Sequence, residues 1–144
     1  MSFVKIWIHA VWGTKNREPV LTPEVRINLF RHIKEKGVER DNDIDFVNGY
    51  LDHVHCLCLL NASMSISTLI QNIKGESSHW ANQQHLLKGK LRWADEYYAA
   101  SVSESQVEKV RDYIRNQEAH HRKQTFEDEC KEFMRKHGFT KGQG

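Results

Sequence analysis

DHVHCLCLL, running from Asp52 to Leu60, is the stretch on which the fold turns. Below its two histidines it is apolar on both faces, so it reads as a strand covered on both sides. His53 and His55 share one face of that strand, about 7 Å apart at the backbone. Val54, Cys56, Cys58 and Leu60 point the other way, toward a helix-packed core. Upstream, Ile44–Val47 reads as a short strand, and Asn48-Gly49 is a turn signal. Earlier still, Phe3–Trp12 alternates. Val4, Ile6, Ile8, Ala10 and Trp12 face one way, and Phe3, Lys5, Trp7, His9 and Val11 the other, the period of a strand. A helix lies between these strands. Thr22 caps it, Pro23 takes its first position, Val25, Leu29, Phe30 and Ile33 form its stripe, and Gly37 ends it.

Downstream of the central strand, Ser65 or Ser67 caps a second helix carrying Ile66, Leu69, Ile70, Ile73 and Trp80, with Gly75 placed to permit close packing. Leu91 to Val102 supplies a last strand or hairpin. A third helix, about 103–121, is marked by Ser103 as cap, Gln106 completing a capping box, and Val102 with Val107 as a hydrophobic staple. Val107, Val110 and Ile114 are its buried stripe. A fourth helix, about 125–138, opens at Thr125-x-x-Asp128, carries Phe126, Cys130, Phe133 and Met134 on one face and stops at Gly138. The order β-α-β-β-α-β followed by further helices is that of an α+β, ferredoxin-like (RRM-like) antiparallel sheet. Its first and third strands lie side by side in the middle. Two helices cover one face, and the other is left for a ligand, a partner or the C-terminal helices. A single domain over residues 1–139 is expected, with 140–144 a disordered tail.

The chain has 144 residues, a length that suits one compact domain. No apolar run approaches the roughly 20 residues that span a bilayer. The opening MSFVKIWIHAVWG lacks a basic segment leading into an unbroken apolar one, so neither a signal peptide nor membrane association is expected. Three cysteines form no disulfide framework and point to a reducing, cytoplasmic setting. Net charge is only +2, but its distribution is uneven. Asp41 to Leu60 carries acids and no Lys or Arg, whereas Asn61 to Ala94 sets Lys74, Lys88, Lys90 and Arg92 against Glu76 alone. His120-His121-Arg122-Lys123 forms a further cluster. Such patches suit a polyanion held at defined places, and they equally describe a solvated surface with scattered lysines.

Two imidazoles at strand spacing can converge on one cation. The thiols of Cys56 and Cys58 lie on the opposite face, so they cannot close one tetrahedral site with the histidines. They read as small core residues. By itself a His-x-His pair is more often structural than metal-binding. A second element changes the balance: Tyr113 and Gln117 stand one helical turn apart, beside the Val107/Val110/Ile114 stripe. If that helix docks on the open sheet face, a phenol and an amide oxygen meet the histidines. Otherwise Tyr113 is a boundary tyrosine with its hydroxyl in water, and Gln117 is plain helix surface.

DHVH at Asp52–His55, IKGESSHW at Ile73–Trp80 and SVSESQVEKVRDYIRNQEAHHRKQTFEDE at Ser101–Glu129, together with VKIWIHAVWGTKNREPVL at Val4–Leu21, resemble the HUH single-tyrosine transposases of the insertion-sequence-200/605 type. The resemblance covers nearly the whole chain. It implies that His53 and His55 bind a divalent ion, that Tyr113 is the nucleophile and that Gln117 is a third metal ligand. It also implies a partner in single-stranded DNA with hairpin ends, and a homodimer in which the tyrosine helix of one subunit can complete the other's histidine site. A phenol with a pKa near 10 is a poor nucleophile until its proton leaves. A metal, expected to be Mg²⁺ or Mn²⁺, polarises the scissile phosphate, and attack leaves a 5′-phosphotyrosine and a free 3′-OH.

Lys74, His79 and Arg92 are candidates for phosphate contact, and Arg122 and Lys123 could hold backbone beyond the tyrosine helix or form a solvated linker. Trp80 or Trp93 could stack on a base, although Trp80 sits on the apolar stripe and reads as core. Two other functions fit parts of the pattern: a metal phosphoesterase with no covalent step, and a non-catalytic RRM-like nucleic-acid-binding module. Leu57 and Leu59 on the histidine face, with the apolar stripe of the fourth helix, offer surface that a symmetric partner would bury.

Overall fold

A computed structural model describes residues 2–40 and 42–139; the expected tail at 140–144 lies outside them. The central stretch forms β3 (His53–Leu59), flanked by β2 (Asp43–Gly49) and β1 (Trp7–Gly13). With β4 (Tyr98–Val102) they make a four-stranded antiparallel sheet in the order β2-β3-β1-β4. Two helices, α1 (Pro23–Glu39) and α2 (Ile66–Gln83), connect β1 to β2 and β3 to β4. They cover one face, where Ile8, Ala10, Trp12, Val54, Cys56 and Cys58 pack against Leu29, Ile33, Ile70 and Ile73. The expected ferredoxin-like order and the pairing of the first and third strands are both present. Thr22 and Ser65 cap the two helices by accepting bonds from the Val25 and Thr68 amides.

Three shorter helices lie on the opposite face: α3 (Val107–Arg115), α4 (Gln117–His121) and α5 (Phe126–Lys136). Trp7 and Leu57 meet Val107 and Ile114 of α3, while Val11 meets Phe126 and Cys130 of α5. Much of the apolar surface that suggested a symmetric partner is therefore filled within the chain. Leu57, Phe126 and Cys130 are buried, while Leu59, Phe133 and Met134 stay partly exposed. Among the described residues, no helix is long and apolar enough to cross a membrane.

The structure corrects several local expectations. β1 begins at Trp7 because Leu59 and Val102, the last partners on either side, stand opposite it. Phe3 and Val4 lie beyond the sheet and are exposed. Asn48 and Gly49 are strand residues paired with His55 and Val54, so the reversal falls after them. Gly75 has open space where a side chain would point, and it serves no close approach. Of the stretch from Leu91, only Tyr98–Val102 is strand; Trp93 makes a single bridge to Thr14. Ser103 makes no side-chain cap. A 3-10 turn at Glu104–Gln106 precedes α3, and Asn116 breaks the expected long helix, with ψ of 24°.

Candidate active site

β3 points His53 and His55 away from the helix-covered core, toward α3, α4 and α5. Both imidazoles are almost wholly buried. Each is oriented through Nδ1: that of His53 lies 2.8 Å from Asp52 Oδ1, and that of His55 lies 2.8 Å from His9 Nε2. His9 stands on β1 and belongs to the same sheet face. A third imidazole, His121 of α4, donates from Nδ1 to the Gln124 carbonyl at 2.8 Å. All three therefore turn Nε2 inward.

The three Nε2 atoms meet one carboxylate oxygen. Oε1 of Glu129, on α5, lies 3.0 Å from Nε2 of His53, of His55 and of His121. Gln117, fully buried at the start of α4, brings Oε1 to 3.1 Å from Nε2 of both His53 and His121. Its amide nitrogen donates to Glu129 Oε2 at 3.2 Å. Tyr113 donates its hydroxyl to that same Oε2, with His120 Nε2 3.4 Å away. Phe126 closes the top, its ring stacked on His53 at 4.1 Å with 6° between planes.

The electrostatics follow from this enclosure. Burial alone would raise the Glu129 carboxyl, but bonds from His121, His53 and His55 outweigh it and hold the group far below the usual range. Burial lowers His55 to about 4 against the pull of Glu129. Burial also opposes protonation of His53, yet Asp52 and Glu129 prevail and raise it. Burial first, then His55, lower His9, which suits a neutral acceptor for the His55 Nδ1 proton. Tyr113 is pushed well above its ordinary value by burial and then by the Glu129 anion.

Four residues expected at one site, His53, His55, Tyr113 and Gln117, do come together, and within a single chain. His53, His55 and Glu129 form a group suited to a metal ion, and His120, His121 and Glu129 form another sharing the same carboxylate. Adjacent donors about 3 Å apart are the edges expected of a six-coordinate shell with ligand distances near 2.1 Å. The imidazole, amide and carboxylate donors thus fit a divalent cation.

The proposed phosphate contacts are scattered. His79 on α2, Arg92 before β4, and Arg122 and Lys123 in the turn between α4 and α5 are exposed. Lys74 instead spends its ammonium on the Ala94 and Asp95 carbonyls, at 2.5 and 3.3 Å, tying α2 to the segment before β4. Trp93 is buried, donating to Ser77 Oγ at 3.2 Å, and Trp80 stacks on His32. Sequence reasoning missed His9, His121 and Glu129 as site residues. Glu129 carried a usable signal: it stands three residues after Phe126 and four before Phe133, an acid on an apolar helical stripe.

The family model described as Transposase IS200 like matches residues 2–117. Among solved structures, a candidate transposase from Deinococcus radiodurans R1 is 26% identical, with a TM-score of 0.63 over 81% of this chain and 93% of that one. A REP-associated tyrosine transposase bound to a REP hairpin is 21% identical, with a TM-score of 0.58 over 84% of this chain and 72% of that one, a likeness of fold. Among curated proteins no match is found. The family match stops at Gln117, so His121 and Glu129 lie beyond it.

Proposed function

The chain belongs to the IS200-like transposase family, and from that premise we propose that it nicks and rejoins single-stranded DNA at hairpin-marked ends through a covalent 5′-phosphotyrosine. The observation that carries this reading is the convergence of Tyr113, His53, His55 and Gln117 on one buried point. The Tyr113 oxygen attacks phosphorus as its proton leaves. The new O–P bond replaces the bond to the 3′ oxygen, which departs and is protonated to a 3′-OH. The phosphotyrosine ester conserves the bond energy, so the reverse attack by a 3′-OH reseals a strand without ATP. His53, His55 and Gln117 would hold a divalent cation, Mg²⁺ or Mn²⁺, which supplies charge stabilisation at the phosphate when bound.

Asp52 and His9 keep the imidazoles aimed, an arrangement typical of ligand-orienting partners. Phe126 and Glu129 exclude water and, in this closed form, DNA as well; the scissile phosphate reaches Tyr113 once α5 lifts. His79, Arg92, Arg122 and Lys123 are placed at the surface to meet phosphates on either side. Lys74 could contribute only by releasing its two carbonyls. A homodimer would pair subunits whose sites are already complete, serving two DNA ends in the cytoplasm.

Labelled single-stranded oligonucleotides from both flanks of the gene, run on a denaturing gel with Mg²⁺ or Mn²⁺ and with EDTA, test the reading. A metal-dependent covalent adduct that Tyr113→Phe abolishes is the expected result. Cleavage without an adduct, unchanged in Tyr113→Phe, would instead indicate a water-using phosphoesterase.

A further inference from the structure

The convergence that supports strand transfer leaves one group without a part, the buried carboxylate at its centre. Glu129 is 3% exposed, and an ionised carboxylate so placed costs several kcal/mol unless compensated. No Lys or Arg reaches it among the described residues. Its partners are three imidazoles, an amide and a phenol. A positive charge at the point where the Nε2 atoms face Oε1 would balance the site.

The geometry is built for such a charge. Oε1 lies 3.0 Å from Nε2 of His53 and of His55, the spacing of neighbouring ligands about one small cation, while His121 meets the same oxygen as part of a second group with His120. Every one of those imidazoles is fixed from behind through Nδ1, by Asp52, His9 or Gln124. The other oxygen, Oε2, receives the Tyr113 hydroxyl. One carboxylate thus touches both the metal ligands and the nucleophile.

We propose that Glu129 is the anionic metal ligand of the DNA-free protein, tying α5 and the Tyr113 hydroxyl to the centre through its two oxygens. It rests on the metal-dependent reading given above. A scissile phosphate is also an anion that must meet the metal ligands and the Tyr113 oxygen together. It therefore takes the place of Glu129, and the carboxylate leaves with α5 as DNA enters. The residue lies beyond the matched span, on the last helix of the described residues.

Mn²⁺ binding to the intact, DNA-free protein tests this, read by the electron paramagnetic resonance of the free ion and by the rise in Tm on adding metal. Glu129→Gln preserves size and is expected to weaken Mn²⁺ by about tenfold or more and to shrink the Tm rise. His53→Ala should bind poorly. Wild-type binding in Glu129→Gln beside impaired binding in His53→Ala would overturn the role of Glu129 while leaving the histidine centre standing. Absence of Mn²⁺ binding in wild type would overturn both. Hydrogen exchange on the wild type needs no variant: Mn²⁺ should slow exchange across residues 126–136, and unchanged exchange there would contradict the tie to α5.

Discussion

A Cβ on Gly49 would lie 2.1 Å from the His53 carbonyl oxygen and 3.1 Å from Val54 Cα, backbone atoms that cannot swing aside. Glycine is required here by close approach between β2 and β3 beside His53, not by a turn. Gly49→Ala should therefore destabilise the fold by about 1–3 kcal/mol or more, measurable by urea unfolding, and should lower metal affinity in the fraction that folds. An unchanged midpoint would mean that the two strands separate there at little cost. The same scale shows how a residue can be read correctly for the wrong reason: Asn48-Gly49 looks like a hairpin turn, yet Asn48 lies in the strand. Its Nδ2 donates to the Ile114 and Arg115 carbonyls, at 2.9 and 3.3 Å, and so holds the end of the tyrosine helix.

Among the elements, α5 covers the site. It docks through Phe126, Cys130 and Phe133 onto Val11, Tyr98 and the rings of His53 and His9, with an Arg17–Glu127 contact at 3.4 Å on its exposed side. The void left between Val11, His55, Phe126 and Glu129 is about 10 Å³, room for no more than a single water. Phe126→Ala removes the ring over His53, and nicking of single-stranded DNA should become faster while proteolysis within residues 126–136 increases. Slower nicking with unchanged proteolysis would show that α5 supports the reaction rather than covering it. β1, β3, α1 and α2 were legible in sequence because alternation and helical stripes are set by one-sided burial, and their caps lie in the local chain. The break at Asn116 was not, since no Pro or Gly marks it and the interruption serves tertiary contacts of Gln117 and His121. Glu129 was hidden by neighbouring Glu127 and Asp128, which make the segment look like a solvated acidic turn.

For the molecule as a whole, assembly of the site within one chain sets the expectation. Tyr113 meets Glu129 and the histidines of its own chain, and Leu57, Phe126 and Cys130 are buried within the subunit. Mixing His53→Ala with Tyr113→Phe protein should therefore restore no nicking. Recovery of activity in the mixture would demand that the tyrosine helix cross between subunits. The histidine pair and the tyrosine with its glutamine were legible because each pair obeys a local spacing. Their meeting depended on which sheet face the third helix chose, and that followed from Leu57 and Trp7 offering an apolar seat for Val107 and Ile114.

The central claim is a covalent bond between DNA and one particular phenol. Peptide mass spectrometry of the denatured adduct tests it most directly, after tryptic and nuclease digestion. Cleavage after Arg111 and Arg115 isolates the peptide Asp112–Arg115, whose one tyrosine is Tyr113. Nucleotide mass on that peptide is the expected result. Nucleotide mass on a peptide bearing Tyr50, Tyr97 or Tyr98, or the absence of any modified peptide when DNA has been cut, would contradict it.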